Sequence, residues 1–339
     1  MNTRARLIDV ARLAGVSTKT ASRAFADDPK VAAGTRDAVR EAAQRLGFRP
    51  NVLARNLRTG ALTKSVALVI GDLANPFYFK LAAGIERELA THGMTLILGI
   101  TEDSPDSEVN VVNAMLEQQV RAILIAPVAA DQSYLERERP YGPPMVFVDR
   151  PPVNLIADTV LIRNREGMAE AVRSLISLGH RRIAFVANRS YLFTIQERLA
   201  GYRQAMLEAG ITDSYRWERL TDVAESSLDE AMADLLNQAD GPTAIVAGNN
   251  RASLAFVKAT YRSPSEVAFI GFDDFELADT FGVSVVGFDV TEMGRQAARL
   301  AVSRISATGG SAPGHVEIET RIIQRGSGEL RPVSAMTAP

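Results

Sequence analysis

The chain has 339 residues, of which 46% are hydrophobic and 23% charged, so it has the composition of an ordinary globular protein and the length for two or three domains. It contains no cysteine, which excludes disulfides, thiolate catalysis and metal sites with cysteine ligands. The net charge of −2 conceals an asymmetry, because residues 1–60 carry a charge of +7 and the remainder carries −9. A basic N-terminal segment on an acidic body indicates a polyanionic partner for that segment alone.

The three histidines and the distribution of apolar residues further restrict the class of protein. His92, His180 and His315 lie far apart in the sequence without metal-ligand spacing, so we expect packing or surface roles for them and neither a metal nor a cofactor. The N-terminus has no apolar signal-peptide core, and no apolar run reaches the roughly 18 residues of a membrane span. These features predict a cytoplasmic protein with no membrane partner.

The first 48 residues contain helical patterns and no convincing strand. "LIDVARLAG" repeats apolar residues at helical spacing and stops at Gly15, and "VSTKTASRAF" follows with Ser17 suited to cap the second helix. "TRDAVREAAQRLG" gives a third helix from Thr35 to Gly47. Two short helices joined through a glycine are typical of an ordinary αα-hairpin or of a helix-turn-helix, and the basic charge favours the helix-turn-helix.

Residues 49–60, "RPNVLARNLRTG", form a short segment between two regions of different character. Pro50 ends the third helix, and Gly60 ends the segment. Its few apolar and basic residues make one or two helical turns, which are marginal alone because isolated helices shorter than about 12–15 residues are unstable in water.

From Lys64 onward, short apolar runs alternate with amphipathic helices. This alternation predicts α/β structure with parallel sheets covered on both faces, and the number of strands, about ten, predicts two subdomains. Ligands of open α/β sheets bind at the carboxyl ends of strands, so we expect a cleft between the subdomains. The strand candidates are SVALVI (65–70), MTLILGI (94–100), RAILIAP (121–127), MVFVD (145–149), RIAFVAN (182–188), TAIVAG (243–248) and VAFIGFDD (267–274).

Catalytic motifs are missing from this pattern. No Gly-x-Gly-x-x-Gly, P-loop or Gly-x-Ser-x-Gly sequence occurs in a strand-turn-helix context, and no pair of acidic residues has a spacing that requires catalysis. The sequence therefore favours a binding protein over an enzyme.

Many ordered motifs resemble the LacI/GalR (lactose-repressor) family of bacterial transcription regulators. The resemblance covers essentially the whole chain and implies a DNA-binding headpiece (1–50), a hinge helix (51–60) and an effector-binding core like that of periplasmic sugar-binding proteins. The core would consist of an N-subdomain (64–162 and 290–316) and a C-subdomain (163–289 and 317–332). The motifs are LIDVARLAGVSTKTASRAF, TRDAVREAAQRLGFRPN, LARNLRTG, DLANPFY, FVDRP, LGHRRIAFVAN, RLAGYRQAM, FIGFDD, EMGRQAARLA and RGSG.

The resemblance assigns DNA contacts to the second helix of the headpiece and to the hinge. Ser17 would cap the recognition helix, and hydroxyl and basic side chains would follow it, since Arg pairs with guanine and hydroxyls bind phosphates. In the hinge, Leu57 would be a wedge in the minor groove, which kinks DNA by unstacking one step. The remaining predicted contacts are Thr18, Lys19 and Arg23 with base edges, Thr20 and Ser22 with phosphates, and Asn51 and Arg55 with phosphates or the minor groove.

The resemblance also assigns a small-molecule site to the cleft. Aromatic residues would stack on an apolar face of the ligand, and planar polar groups would bond its hydroxyls. The predicted effector-binding residues are Phe77, Tyr78, Asp149, Arg163, Arg198, Asn249 and Asp273.

Several positions depart from the family pattern. Arg6 replaces the usual Thr at the start of the first helix, Arg163 and Asn250 replace usual aspartates, and Phe288 occupies the position of a usual Gln. Because the changes at Arg163 and Asn250 replace acidic groups near the cleft with a basic and a neutral one, we expect an anionic sugar acid or phosphosugar as effector, bound by Arg163 and Arg198.

The sequence thus predicts a ligand-responsive, nucleoid-associated repressor that binds a palindromic operator as a homodimer. The C-terminal residues "RGSGELRPVSAMTAP" carry no heptad pattern, which argues against a tetramer built by a C-terminal helix bundle. The alternative is a solute-binding protein with the same core fold, which the basic N-terminal segment disfavours.

Overall fold

The chain divides into two compact units, residues 1–63 and 64–339. The computed structural model describes residues 5–49, 63–138, 141–221, 225–262, 265–307 and 312–332. Within these ranges no helix is long and apolar enough to cross a membrane.

The described part of the first unit is a bundle of three short helices, α1 (Leu7–Leu13), α2 (Thr18–Phe25) and α3 (Ala33–Arg45). Gly15, at φ 66°, makes the tight turn between α1 and α2 that a side chain with Cβ would strain. Mostly small side chains let the helices approach closely in a core formed by Val10, Ala11, Ala21, Ala24, Val31, Val39, Ala42 and Ala43.

The start of α1 shows how the chain compensates for Arg6. The Asp9 carboxylate accepts a hydrogen bond of 2.9 Å from the backbone N–H of Arg6, so a side chain of the first turn closes the helix end. The same carboxylate suits the positive end of the helix dipole.

The second unit contains two mainly parallel sheets, each covered by helices on both faces. Its elements are β1 (Ser65–Ile70), α4 (Pro76–Thr91), β2 (Thr95–Ile100), α5 (Pro105–Glu117), β3 (Ile123–Ile125), β4 (Met145–Val148), β5 (Asp158–Ile162), α6 (Asn164–Ser177), β6 (Ile183–Asn188), α7 (Phe193–Glu208), β7 (Glu218–Thr221), α8 (Glu225–Asn237), β8 (Ala244–Ala247), α9 (Asn250–Thr260), β9 (Ala268–Phe272), β10 (Ser284–Gly287), α10 (Val290–Ser306), β11 (His315–Ile318) and β12 (Arg321–Ile323).

The two sheets define two lobes. In the first lobe the order is β11-β5-β4-β3-β1-β2 with all pairs parallel, and α4 and α10 pack on one face and α5 on the other. In the second lobe the order is β12-β10-β9-β8-β6-β7, with α6 and α7 on one face and α8 and α9 on the other. The edge strand β12 runs antiparallel to β10. The prediction of parallel pairing therefore holds for the rest of this sheet but not for this edge.

The chain passes between the lobes three times, after β5, after β10 and after β11. The predicted boundary between residues 316 and 317 is wrong, because Glu317 and Ile318 pair with Leu161 and Ile162 in the sheet of the first lobe. The hydrogen-bonded ladder extends to the end of β11, and the boundary therefore lies between Ile318 and Arg321.

Helix α4 is fixed against α10 by a close backbone approach. A Cβ at Gly84 would collide with the carbonyl oxygen of Thr291, and a Cβ at Gly294 would collide with that of Leu81. Glycine at both positions therefore lets the two helices pack directly against each other. This packing holds the N-terminus of α4, which carries Phe77 and Tyr78.

Candidate DNA-binding and ligand-binding sites

Helix α2 presents the predicted DNA-binding residues of the headpiece. Ser17 caps it, because its Oγ accepts a hydrogen bond of 3.0 Å from the backbone N–H of Thr20. Ala21 and Ala24 face the core, which leaves the opposite face outward. On that side Ser17, Thr18, Lys19 and Arg23 are exposed, and Thr20 and Ser22 are half-buried.

Two contacts already orient side chains on this face. The Ser17 and Thr20 hydroxyls lie 2.8 Å apart, and Arg23 Nε lies 3.6 Å from an Asp28 carboxylate oxygen. Asn51, Arg55, Leu57 and the whole predicted hinge helix (51–60) lie outside the described residues.

A cleft between the two lobes collects polar residues that follow strands of both sheets. The cavity that it encloses has a volume of about 60 Å³. Six of the seven predicted effector-binding residues line it, namely Phe77, Tyr78, Asp149, Arg198, Asn249 and Asp273. Their convergence follows from parallel topology, which puts the carboxyl ends of all parallel strands at one edge.

Arg198 is the most constrained cation of the cleft, with only 4% of its surface exposed. Its Nε donates to Asn164 Oδ1 at 2.8 Å and its Nη1 to the Gly248 carbonyl at 2.8 Å. Its Nη2 lies 3.4 Å from Asp273 Oδ1, and the guanidinium stacks 3.7 Å above the Phe272 ring. Burial lowers the pKa of Arg198, and the nearby carboxylates oppose this shift.

Asp149 and Arg150 form a second buried pair at the end of β4. Arg150 Nη1 donates to the Pro127 carbonyl at 2.9 Å and Nη2 to the Tyr78 hydroxyl at 3.3 Å, while Nε lies 3.3 Å from Asp149 Oδ2. Burial raises the pKa of Asp149, and Arg150 and Arg198 counteract the rise. Arg150 was not predicted, although its place directly after Asp149 was a usable signal.

Aromatic rings form the apolar wall of the cleft. The Asn75 side chain caps α4 by accepting a hydrogen bond of 3.1 Å from Phe77 N. The Phe77 ring lies 5.1 Å from Tyr78 in an edge-to-face arrangement and 6.2 Å from Phe288. Such a wall suits the apolar face of a ring-shaped ligand.

Four polar contacts cross the cleft from the first lobe to the second, and most of their residues were not predicted. Asp72, Asp103 and Arg189 follow β1, β2 and β6, so the rule that found Asp149 would also have found them. The contacts are the ion pairs Asp103–Arg189 and Asp72–Arg251, the hydrogen bond from Asn250 Nδ2 to Asn75 Oδ1 (2.9 Å), and that from Lys80 Nζ to the Asp274 carbonyl (3.0 Å).

The placement of Arg163 in the cleft is wrong. Its Nε lies 2.9 Å from a Glu317 oxygen and its Nη1 2.7 Å from a Glu319 oxygen, on an exposed surface outside the cleft lining. The reason is topological, since β11 runs beside β5 and brings Glu317 next to the residue that follows β5. The expected anionic effector thereby loses one of its two cations.

The other cation, Arg198, is already partnered, as are the other arginines that line the described cleft. Each of the four lies against a carboxylate, so the charged lining is balanced. The pairs are Asp72–Arg251, Asp103–Arg189, Asp149–Arg150 and Asp273–Arg198. Among the described residues no cluster of three or more His, Asp or Glu could hold a metal ion.

Comparison with known protein families finds a match for each of the two units. Residues 6–51 match the family described as "Bacterial regulatory proteins, lacI family". Residues 63–325 match "Periplasmic binding proteins and sugar binding domain of LacI family".

Two curated relatives match over most of their length. The chain is 32% identical over 333 residues to the HTH-type transcriptional regulator CelR of Thermobifida fusca, covering 94% of this chain and 97% of that protein. It is 30% identical over 308 residues to the HTH-type transcriptional repressor PurR of Photobacterium profundum, covering 89% and 92%. These relatives are transcription factors and not enzymes.

Solved structures agree with the fold. A CelR–cellobiose complex is similar with a TM-score of 0.69 at 29% identity, covering 96% of this chain and 100% of that one. The lac repressor dimer bound to operator and an anti-inducer gives a TM-score of 0.83 at 22% identity, covering 96% and 99%, which supports the fold alone. With a helix-turn-helix unit, a two-lobed core and both family matches, the chain belongs to the LacI family of bacterial transcriptional regulators.

Proposed function

We propose that this protein represses transcription by binding a palindromic operator as a homodimer, and that a neutral sugar in the cleft modulates its affinity for DNA. The observation that carries the effector assignment is the charge balance of the cleft, where four arginines lie against four aspartates. A charged ligand would have to displace one of these partners, whereas hydroxyls can bond to both members of a pair.

The remaining lining supports the same ligand class. Phe77 and Tyr78 offer aromatic surface, and the polar groups are held in fixed orientations by their own partners. Sugars combine apolar ring faces with hydroxyls that donate and accept, which this pairing of surfaces suits. The CelR relative is described in complex with cellobiose, a neutral sugar.

The headpiece supports DNA binding through α2. Its outward face carries Lys19, Arg23 and hydroxyl side chains, and Ser17 at the cap lies where helix N-termini bind phosphates. A symmetric dimer places two such helices on related half-sites, so the operator should be near-palindromic. Binding to chromosomal DNA would place the protein in the cytoplasm, at the nucleoid.

Exposed apolar side chains support self-association of the core. Tyr261 and Phe281 are 67% and 41% exposed, and their rings meet edge to face at 5.9 Å. Leu98 and Ile100 are exposed on β2, an edge strand of the first lobe. Exposed apolar surface and an unpaired edge strand are typical of interfaces, and a second copy of the chain is the partner we assign.

Coupling between cleft and DNA would work by a population shift. Three chain crossings join the lobes, so a ligand that favours one degree of closure changes the relative positions of both. The effector must therefore bind the two states with different affinities.

A binding assay on the protein's own promoter region tests the proposal. We expect salt-sensitive, saturable binding to one near-palindromic segment, measured by fluorescence anisotropy, and a changed affinity on addition of D-ribose, D-glucose or cellobiose. Gluconate and glucose 6-phosphate serve as anionic comparisons, and we expect no response to them. Failure to discriminate the promoter from random DNA would overturn the regulator, whereas a response only to the anionic ligands would overturn the neutral-sugar assignment.

A further inference from the structure

Three buried side-chain nitrogens in the described part of the second unit have no hydrogen-bond partner, and all three belong to residues that line the cleft. They are Arg150 Nε, Asn188 Nδ2 and Arg189 Nε. Arg150 Nε still faces Asp149 Oδ2 at 3.3 Å, which leaves Asn188 Nδ2 and Arg189 Nε as the donors of interest. Buried donors are normally paired, so two neighbouring donors without partners in one cavity indicate groups intended for a ligand.

The orientation of the Asn188 amide is fixed by a short relay. Asn249 Oδ1 accepts a hydrogen bond of 3.0 Å from the backbone N–H of Ala252, which leaves Asn249 Nδ2 as a donor. Asn249 Nδ2 then donates to Asn188 Oδ1 at 2.8 Å. The Asn188 side chain, which is fully buried, must therefore present its Nδ2 as the remaining group. Asn249, predicted as an effector contact, orients this donor.

Arg189 is held from the opposite lobe. Its Nη1 pairs with the Asp103 carboxylate, and both side chains are largely buried, at 13% and 9% exposure. The Asp103 carboxylate in turn lies over Gly71, where a Cβ would collide with it. The Nη1 group is thus occupied by Asp103, and Nε remains as a donor.

The backbone at both ends of this pair is in the left-handed region. Arg189 has φ 56° and Asp103 has φ 54°, a conformation that residues other than glycine rarely adopt. Such strain persists where the surrounding structure holds it, and it is concentrated at binding sites. Since the two strained residues contact each other across the cleft, the strain marks this pair for a role in binding.

We propose that Asn188 and Arg189 form an oxygen-binding subsite for the effector, with Asp103 as the residue that positions Arg189. The proposal rests on the neutral-sugar effector of the proposed function. The ligand group is a hydroxyl oxygen, because Asp103 already balances the charge of Arg189. Asn188 Nδ2 and Arg189 Nε donate to this oxygen. The subsite is complete only when the lobes are closed, since Asp103 belongs to the first lobe.

Binding of a sugar and its deoxy analogues tests the subsite, because each analogue lacks one hydroxyl. The parent sugar is whichever of D-ribose, D-glucose and cellobiose raises the melting temperature of the full-length wild type. By calorimetry, we expect one deoxy analogue to bind wild type about 10-fold more weakly than the parent sugar, the size of one charge-assisted hydrogen bond.

Two substitutions should abolish that discrimination. Asn188→Asp keeps the oxygen that Asn249 bonds but replaces the donor, and Arg189→Lys keeps the charge facing Asp103 but removes Nε. Each variant should bind the parent sugar and that one analogue equally. Asp103→Asn should weaken discrimination in the same direction, and its effect should not add to that of Arg189→Lys.

Arg165→Lys is the matched control, since Arg165 forms an exposed pair with Glu197 at 2.9 Å, away from the cleft lining. We expect it to keep wild-type discrimination. If Asn188→Asp and Arg189→Lys weaken the parent and every deoxy analogue by one common factor, their role is structural and the proposal is overturned. If none of the three sugars binds wild type, the subsite falls with the neutral-sugar assignment, while operator binding still decides the regulator independently.

Discussion

The headpiece and the cleft use arginine and lysine in opposite ways. On α2, Lys19 and Arg23 are exposed to solvent, and Arg23 has only a loose partner at 3.6 Å. In the cleft, Arg198 is almost fully buried and bonded to protein groups through each of its three nitrogens. An exposed cation binds phosphate by releasing counterions, whereas a buried one acts by holding a fixed geometry. Salt should therefore tune DNA binding far more than effector binding.

Removing a buried cation is expected to have the largest effect. Arg198→Met keeps the length of the side chain but leaves Asp273 unpaired, and Asn164 Oδ1 and the Gly248 carbonyl lose their donor. We expect the free energy of unfolding to fall by about 3 kcal/mol and the effector response to disappear. Urea unfolding and operator binding with added sugar measure the two effects.

The exposed pair of Arg173 with Glu208, at 2.9 Å, provides the comparison. Arg173→Met should lower the free energy of unfolding far less than Arg198→Met, because solvent screens a surface ion pair. Equal losses for the two variants would contradict the distinction between buried and exposed cations.

Removing an exposed cation of α2 should act on DNA alone. Arg23→Ala should cost about 2 kcal/mol of operator affinity and relax sequence preference at one base pair, if Arg23 reads a base edge. Arg45→Ala, on α3 with Glu41 as its partner at 2.6 Å, is the control. Anisotropy titrations over a salt series measure the affinities. If Arg23→Ala weakened binding to operator and to random DNA by the same factor, Arg23 would not read a base.

The hinge offers a smaller effect that depends on apolar contact. The wedge assigned to Leu57 remains a prediction, because residues 50–62 are not described. Leu57→Ala should weaken operator binding by about 1 kcal/mol and reduce the DNA bend, while effector affinity stays unchanged. Circularly permuted operator fragments measure the bend, and an unaltered bend and affinity would reject the wedge.

The smallest effect is a pH dependence of the core. The buried His180 ring contacts Thr243 Oγ1 through Nδ1 and the Leu330 carbonyl through Nε2, both at 2.9 Å. Burial lowers the pKa of His180 below its ordinary value of about 6.5. The folded state therefore disfavours protonation of His180. The contribution of the neutral ring to the free energy of unfolding is present above about pH 6.5 and is lost as pH falls through the folded-state pKa.

His180→Gln should reduce the change in the free energy of unfolding with pH by a fraction of a kcal/mol, because glutamine does not titrate. Thermal melts of wild type and variant between about pH 8 and 5 measure the difference. A slope that is steeper in the variant than in wild type would contradict the assigned direction of the shift.

Local patterns predicted most of the fold. The three headpiece helices and the longer buried strands follow from apolar periodicity, and glycine and cap residues mark their ends. The strands β5, β7, β10, β11 and β12 were not predicted individually. Three of them, β7, β11 and β12, carry charged residues and are only partly buried, so they lack the continuous apolar run that marks the predicted strands. Their neighbours in the sheet supply the hydrogen bonds that make them strands.

The residues of the cleft were also predicted only in part. Asp149 and Asp273 follow strong strands, so topology alone put them at one edge of their sheets. Arg163 also follows a strand, yet β11 beside it carries Glu317 and draws the guanidinium away. The sequence around residue 163 gives no indication of β11, which lies about 150 positions later in the chain.

By itself the sequence determined the class of protein, the order of its elements and the residue types available to each site, because periodicity, capping and charge act over a few neighbouring positions. Only the tertiary structure decided which arginine faces which aspartate. Asp103 and Arg189 become partners across the lobes, and Asn249 leaves Asn188 with one donor to offer. These pairings depend on how two sheets face each other, and distance in space, which sets electrostatic and hydrogen-bond energies, is not written in local sequence.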